Sequence, residues 1–432
     1  MKKNELLCRL FATSLLLLSS CARNEHILYI EDEPVEYATT RSIDDARKEL
    51  EKLLEDIYGS QTTKGSKSKT IKNAYTLNGG QTSRSGDGEQ LQVYVFNFEN
   101  QEGFALMTAN EEMPSLLALA ENGEISESET VSNPGFALFL EGVEHEFVNK
   151  HTFEEATGEL FIRKVYGEWE NIVYKPCGYC EVTWGQREPY NSYCPMKDTI
   201  RTATGCVATA VAQYMSIHKY PTSYNGYSFN WEEMTAAAEA SGCTDEAQDQ
   251  IARLMFELGK KANLNMEYGV SEDGGSSAKY RNIKRTLKDF GYSDGGELND
   301  YDTETVVAEL KSGHCVLAGG YSHKKERSFI GIKVSPEYSR GHMWLCHGLL
   351  ERHRKIEMYI DGTYKGYTIE YEWYPLCNWG WEGYHDGYYL SNAFSANLNP
   401  KYAIDTKNAD ADYTGTQYNY QYKTTAITGI RK

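Results

Sequence analysis

A chain of 432 residues is longer than one hydrophobic core usually serves, so two folded units are the starting expectation. Its residues are 40% hydrophobic and 25% charged, which excludes disorder of the whole. A net charge of −18, with no clustered Lys and Arg, argues against a nucleic-acid partner, because phosphate neutralisation needs such clusters.

The chain opens "MKKNELLCRLFATSLLLLSSCARNE", with a basic start at Lys2 and Lys3, a short apolar run and then Leu18-Ser19-Ser20-Cys21. That is an export signal rather than a membrane span. Leu-Ser-Ser-Cys resembles the lipobox of bacterial lipoproteins, in which the cysteine becomes the lipidated first residue. The expectation is a leader over 1–20, a lipid on Cys21 and a place at the outer membrane, facing the periplasm or the cell surface. An ordinary secretory signal with an incidental cysteine is the alternative. No later stretch approaches the roughly 18 apolar residues that a membrane-spanning helix needs.

In "SIDDARKELEKLLEDIY", Ala46, Leu50, Leu53, Leu54 and Ile57 recur at helical spacing behind Ser42, a cap candidate. Residues 61–88 are rich in Thr, Ser, Gly and Lys and read as a loop. The runs "LQVYVFNFEN", "GFALMTA" and "SLLALAENGEI" read as strands, and a helix is expected near 132–151. These make a small α+β unit, taken as 21–160. Residues 152–182 carry charges and turn formers without sustained periodicity, and the unit boundary is placed there.

The remaining unit, 161–432, is helical first and strand-rich second. "AQDQIARLMFELGKKANL" and "SAKYRNIKRTLKDFGY" are helical; "CVLAGGYS", "HMWLCHGLL", "KIEMYIDG", "GYTIEYEW" and "GYYLSNAF" are strands. An α+β fold with a cleft between a helical half and an antiparallel strand half follows. Cys177-Gly-Tyr-Cys180 has half-site spacing, but no second pair completes it, so no metal or other cofactor is expected and a local disulfide or plain thiols fit better.

Cys206 stands after Gly205 at the head of "CVATAVAQYMSIHKYP". A helix N-terminus there would favour a thiolate through its partial positive charge. Taken alone, a structural thiol is equally consistent, so an imidazole partner decides. Of ten histidines, His26, His145 and His151 lie in the N-terminal part, His323 and His353 sit among charges, and His218 is too far along the same helix. His314, His342, His347 and His385 remain. In "GHMWLCHGLL" a period of two puts His342, Trp344 and Cys346 on one face and Met343, Leu345 and His347 on the other. His342 follows Gly341, which allows close backbone approach. Gln186 in "TWGQREPYN" could join the Cys206 N–H in holding an oxyanion. In "CNWGWEG", Asn378 could fix the imidazole tautomer and Trp379 could shield it from water, while Trp381 reads equally as core.

Taken in order, "WGQREPYN", "TGCVATAVAQYM", "MEYGV" with "DGGSS", "GHMWLCHG" and "NWGWEGYHDGYYL" resemble the streptopain family of bacterial cysteine peptidases. "VYVFNF" and "GFALMTANEEMPSLLALAENGEI" resemble that family's inhibitory prodomain. The resemblance implies a papain-like fold, Cys206 as nucleophile, His342 as base, Gln186 at the oxyanion hole and Trp379 over the imidazole. It further implies that Gly341, Gly275 and Ser276 lie along a peptide substrate, which carries an apolar residue one position before the scissile residue. His347 stands where an acidic residue is common, and "DGGSS" is spaced a little differently, which bears on subsite preference. The function expected is a secreted cysteine endopeptidase made as a zymogen, with protein substrates and its own prodomain as partners. An acyltransferase or cell-wall amidase on the same fold, and a non-catalytic surface-binding protein, are the alternatives.

Overall fold

In a computed structural model the described residues are 40–59, 69–78, 91–111, 113–126, 128–154, 162–175, 180–270, 275–322, 328–335, 341–360, 363–395 and 422–432. The expected leader, Cys21 and Cys177 lie outside them.

The first helix, α1 (Ile43–Leu54), begins at Ser42, whose Oγ accepts from Asp45 N at 3.1 Å, and buries Ala46, Leu50, Leu53 and Leu54. Four antiparallel strands follow: β1 (Ile71–Asn78), β2 (Gln92–Phe98), β3 (Phe104–Thr108) and β4 (Leu116–Ala120). The helix α2 (Pro134–Glu154) opens with proline at its first position, where no N–H is missed. Asn133 caps it, with Oδ1 accepting from Gly135 N and Phe136 N at 3.0 and 3.2 Å.

The segment expected to be an irregular link is in part sheet. Strands β5 (Ile162–Tyr166) and β6 (Glu170–Tyr174) pair antiparallel with one long later strand, β9, described below. The pattern is obscured because an edge ribbon with both faces partly open needs no apolar alternation.

The helical half comprises α3 (Cys206–His218), α4 (Asp245–Gly259) and α5 (Ile283–Asp289), the last shorter than the sequence suggests because a single tight turn, Tyr280–Asn282, precedes it. Then come β7 (Asp294–Asp300), α6 (Thr303–Lys311), β8 (Val316–Ser322), β9 (His342–Ile360), β10 (Thr363–Asn378), β11 (Gly387–Tyr389) and β12 (Tyr422–Arg431). Stretches expected as separate strands are continuous here: β9 carries both "HMWLCHGLL" and "KIEMYI".

The strands form one twelve-stranded sheet in the order β1-β2-β3-β4-β11-β10-β9-β8-β12-β7, with β5 and β6 on β9. The two expected units therefore share a sheet, joined where Ala118, Leu119 and Ala120 of β4 pair with Tyr389, Tyr388 and Gly387 of β11. One core lies against α1 and α2 and includes Phe136, Phe139, Trp344, Trp379 and Phe394; the other lies against α3 and α4 and includes Val211, Leu254, Met343 and Leu345. The period of two in β9 thus sends Trp344 and Cys346 to the first core and Met343 and Leu345 to the second.

A buried ion network also crosses the junction. Arg352 on β9 is 1% exposed and donates to Glu49 of α1 at 2.5 Å, to Glu372 of β10 at 3.3 Å and to Ser115 at 3.2 Å. A guanidinium buried this deeply is held because its fork finds an acceptor in each direction.

Candidate active site

No side chain caps α3. Gly205 stands at its N-cap with φ 88°, a conformation that favours glycine, and a Cβ there would lie 2.9 Å from Met266 Sδ. The N–H groups of the first turn are consequently open to the Cys206 sulfur, and those of Met343, Val207 and Cys206 itself point toward it. Burial nevertheless pushes the thiol above its ordinary value, and these donors offset that only in part.

His342 opens β9, with its carbonyl accepting from Tyr280 Oη at 3.0 Å. Its Nε2 lies 2.7 Å from the Trp379 carbonyl. A carbonyl can only accept, so Nε2 carries the proton and Nδ1 is left as the basic atom. Burial lowers the imidazole pKa to about 4, against the bond to Trp379. Among the described residues no hydrogen bond joins Cys206 Sγ to His342, so in this form each group is held neutral.

Cys206, His342, Gln186, Gly275, Ser276 and Gly341 line one cleft of about 240 Å³, together with Trp381. Six of the residues singled out in the sequence thus converge. Among the described residues nothing fills the space beside Gly275 (φ 74°), whereas the Ser276 hydroxyl is engaged, donating to Ala203 O at 2.6 Å. Ser276 therefore offers a ligand its backbone rather than its side chain.

Asn378 departs from expectation. Its side chain does not touch the imidazole: Oδ1 accepts from Gln213 Nε2 at 2.7 Å and Gly380 N at 3.0 Å, and Nδ2 donates to Val182 O at 2.7 Å. The second Nδ2 hydrogen faces Cys180 Sγ at 3.9 Å, so nothing is left for His342, and the Trp379 main-chain carbonyl takes the place assigned to it. The Trp379 indole is fully buried, with Nε1 donating to His385 O at 2.8 Å and the ring packed on Trp344 and Tyr389. The ring facing the imidazole from the cleft is Trp381, edge-on at 6.1 Å. Tyr280, Trp381 and the Trp379 carbonyl are the participants that sequence reasoning missed or left open. Only the paired tryptophans of "NWGWEG" carry a signal for them.

The N-terminal unit closes the cleft. Ser132 and Pro134 line it, and a Cβ on Gly135 would come within 2.2 Å of Trp379 Cε3 and 2.9 Å of His342 Cδ2. The start of α2 therefore lies directly on the imidazole and the indole. Asn133 Nδ2 fastens it by donating to Tyr384 O at 2.8 Å.

Comparison with known proteins accounts for this arrangement. Residues 184–389 match the Peptidase C10 family, and residues 38–147 match the Spi protease inhibitor family. Streptopain of Streptococcus pyogenes serotype M1 is 24% identical over 387 residues, covering 80% of this chain and 82% of streptopain. The thiol protease/hemagglutinin PrtT of Porphyromonas gingivalis is 21% identical, covering 77% of this chain and 37% of that protein. A fragment of Prevotella intermedia prointerpain A shares the fold, with a TM-score of 0.54 and 22% identity over 83% of this chain and 99% of the fragment.

A peptidase domain built around a thiol and an imidazole, preceded in one chain by an inhibitor domain seated on its cleft, defines a papain-like cysteine peptidase in zymogen form. More particularly, the chain belongs to the streptopain family. It is a cysteine endopeptidase, which decides against the amidase and surface-binding alternatives.

Proposed function

We propose that Cys206 is the nucleophile and His342 the general base and acid of this endopeptidase. One observation carries the assignment: a thiol at an uncapped helix start and an imidazole whose Nε2 is fixed by a carbonyl line the same cleft, under the inhibitor domain. Once that domain leaves, solvent and substrate enter, and the thiol proton passes to Nδ1. The resulting ion pair is supported by the first-turn N–H groups on one side and by the Trp379 carbonyl on the other. The thiolate attacks the scissile carbonyl, and the Gln186 amide with the Cys206 N–H takes up the negative charge that develops on oxygen. The Nδ1 proton goes to the departing amine as the C–N bond breaks, leaving a thioester, which water hydrolyses with His342 again as base. Gly275, Ser276 and Gly341 offer backbone groups along the peptide, with an apolar side chain preferred one position before the scissile residue.

Alkylation tests the assignment. After removal of the N-terminal unit, iodoacetamide at mildly acidic pH should label Cys206 well ahead of the other thiols, read by peptide mass mapping. In the uncut chain the same site should react slowly. Equal labelling of Cys206 and Cys243, the other half-buried cysteine among the described residues, in the cut enzyme would contradict the assignment.

We further propose that the peptidase is released by a cut that leaves a C-terminal fragment starting between about residues 158 and 176. Arg163 and Lys164 are held in β5 against Tyr359 and Met358, so a protease reaches them only when this edge ribbon separates from β9.

The Leu18-Ser19-Ser20-Cys21 motif supports export as a lipoprotein at the outer membrane, with two acyl chains on Cys21 giving stable attachment. Among the described residues no helix is long and apolar enough to cross a membrane. Expressed in a lipoprotein-processing bacterium, the protein should partition into detergent and lose that behaviour on Cys21→Ser. Aqueous partitioning of the unmutated protein would sink the anchor.

A further inference from the structure

Gln213 stands two helical turns after Cys206 on α3, in the otherwise small and apolar run "VATAVAQYM". It is completely buried, a costly position for a primary amide unless its hydrogen bonds do a specific job. Its Nε2 donates to two acceptors, Asn378 Oδ1 at 2.7 Å and Trp184 O at 3.1 Å. Both partners are carbonyl oxygens, which fixes the amide orientation.

The consequence lies one residue further on. Asn378 Oδ1, held by Gln213, also accepts the Gly380 N–H at 3.0 Å. That N–H belongs to the same peptide group as the Trp379 carbonyl, which accepts from His342 Nε2 at 2.7 Å. One peptide plane is thus gripped from behind by Asn378 and read from the front by the imidazole. From the other end, Trp379 N donates to Asp386 Oδ1 at 2.8 Å. The Gln213 bond to Trp184 meanwhile ties in the segment that ends at Gln186, and Thr209, one turn back on α3, adds a bond to Gly185 O at 3.3 Å.

We infer that Gln213 is a positioning residue that locks the thiol helix, the Gln186 segment and the Trp379–Gly380 peptide into one frame, and so sets the tautomer and aim of His342. The inference rests on the assignment of Cys206 and His342 as the catalytic pair. Asn378 then does orient the imidazole, but through the peptide and under the control of Gln213.

Three variants of the cut enzyme test it: Gln213→Leu, Gln213→Glu and, as reference, His342→Ala. Gln213→Leu keeps volume and loses both donors. Its kcat should fall on the order of 10–100-fold with KM within about twofold, the signature of misaimed groups rather than lost substrate binding. Gln213→Glu is the sharper probe. As a neutral acid it still has a proton to donate to Asn378 Oδ1; as a carboxylate it has none and faces two carbonyl oxygens. Its activity should approach that of the unmutated enzyme on the acid side and fall toward the Leu variant as pH rises, with the pH dependence of Cys206 alkylation shifting in parallel. A merely structural role would lower the melting temperature without adding a limb to the pH profile. If Gln213→Leu does not fold, the Glu variant on the acid side carries the test alone. An unchanged kcat in Gln213→Leu, or a Gln213→Glu pH profile parallel to that of the unmutated enzyme, overturns the inference. Should His342→Ala itself remain active, the underlying assignment fails instead, and the two failures are distinguishable.

Discussion

Cys206→Ala should lower kcat for peptide hydrolysis by several orders of magnitude, and His342→Ala by a comparable factor, because members of a nucleophile–base pair act as a unit. The informative comparison is His347→Ala. His347 follows His342 by five residues on the same strand and is also buried, with Nδ1 accepting from Cys180 N at 3.3 Å. It does not line the cleft. Burial lowers its pKa to about 3, so it stays neutral at working pH and serves packing. Its loss should destabilise the fold by about 2–4 kcal/mol, as for a large buried ring whose bonded N–H partner is orphaned. Activity per folded molecule should stay within a few fold. A dead enzyme cannot be relied on to process itself, so each variant is freed of its N-terminal unit by an added protease, and the active fraction is normalised by melting curves. Substantial turnover by Cys206→Ala would remove Cys206 as the nucleophile, and an inactive His347→Ala beside an active His342→Ala would mean that the period of two along β9 assigns the wrong imidazole.

What the sequence made legible follows from what each contact is made of. The α3 start was visible because a glycine followed by small residues is a local signal. His342 could be separated from His347 because a period of two survives in one strand. The partner of His342 Nε2 was not visible, since it is a main-chain carbonyl and every residue has one; the nearby Asn378 drew the assignment because only side chains differ in a sequence. Nor did the sequence disclose that the inhibitor unit continues the peptidase sheet. The β4–β11 pairing joins residues far apart in the chain through backbone bonds that any residue except proline can make. Strands β5 and β6 escaped for a related reason. Their partner is a distant strand, and exposed positions such as Val165, Tyr166 and Ile172 gave no alternation to follow.

Acidification should loosen the inhibitor unit from the peptidase, by about a hundredfold at pH 4.5 relative to pH 8, through His385. This ring belongs to the peptidase but is enclosed largely by the inhibitor: Phe136 of α2 at 4.8 Å, Phe104 of β3 at 5.3 Å and the turn at Gly123, with Tyr384 stacked on it at 3.9 Å. Among the described residues neither ring nitrogen has a hydrogen-bond partner, and burial lowers its pKa to about 3. The surrounding charges give little relief. Phe104, Phe136 and Gly123 carry none, and of the glutamates flanking that turn, Glu121 and Glu124, the latter is paired with Lys72 at 2.9 Å. Asp386, next in the chain, has its own pKa raised to about 8 by burial, so it is a neutral acid over the acid part of the window, where His385 would take up its proton, and offers no counter-charge there. When the units separate, the ring meets water and returns toward its ordinary value of 6.5. The separated state then binds more protons at any pH below 6.5, so docking is at full strength above that value and weakens as pH falls toward 3. His342, at about 4 in the docked form, acts in the same direction. The measurement is size exclusion of the cut, two-chain Cys206→Ala protein across pH 4–8, which reads association without any contribution from catalysis. His385→Asn supplies the control, because asparagine tolerates the positive φ of 66° found there and carries no charge at any pH. That variant should bind more weakly at pH 8, having lost the ring packing, and should show a flatter dependence on acid. A cut complex equally tight at pH 4.5 and pH 8, or a His385→Asn variant with the same acid dependence as the parent, would remove His385 from the release of the inhibitor.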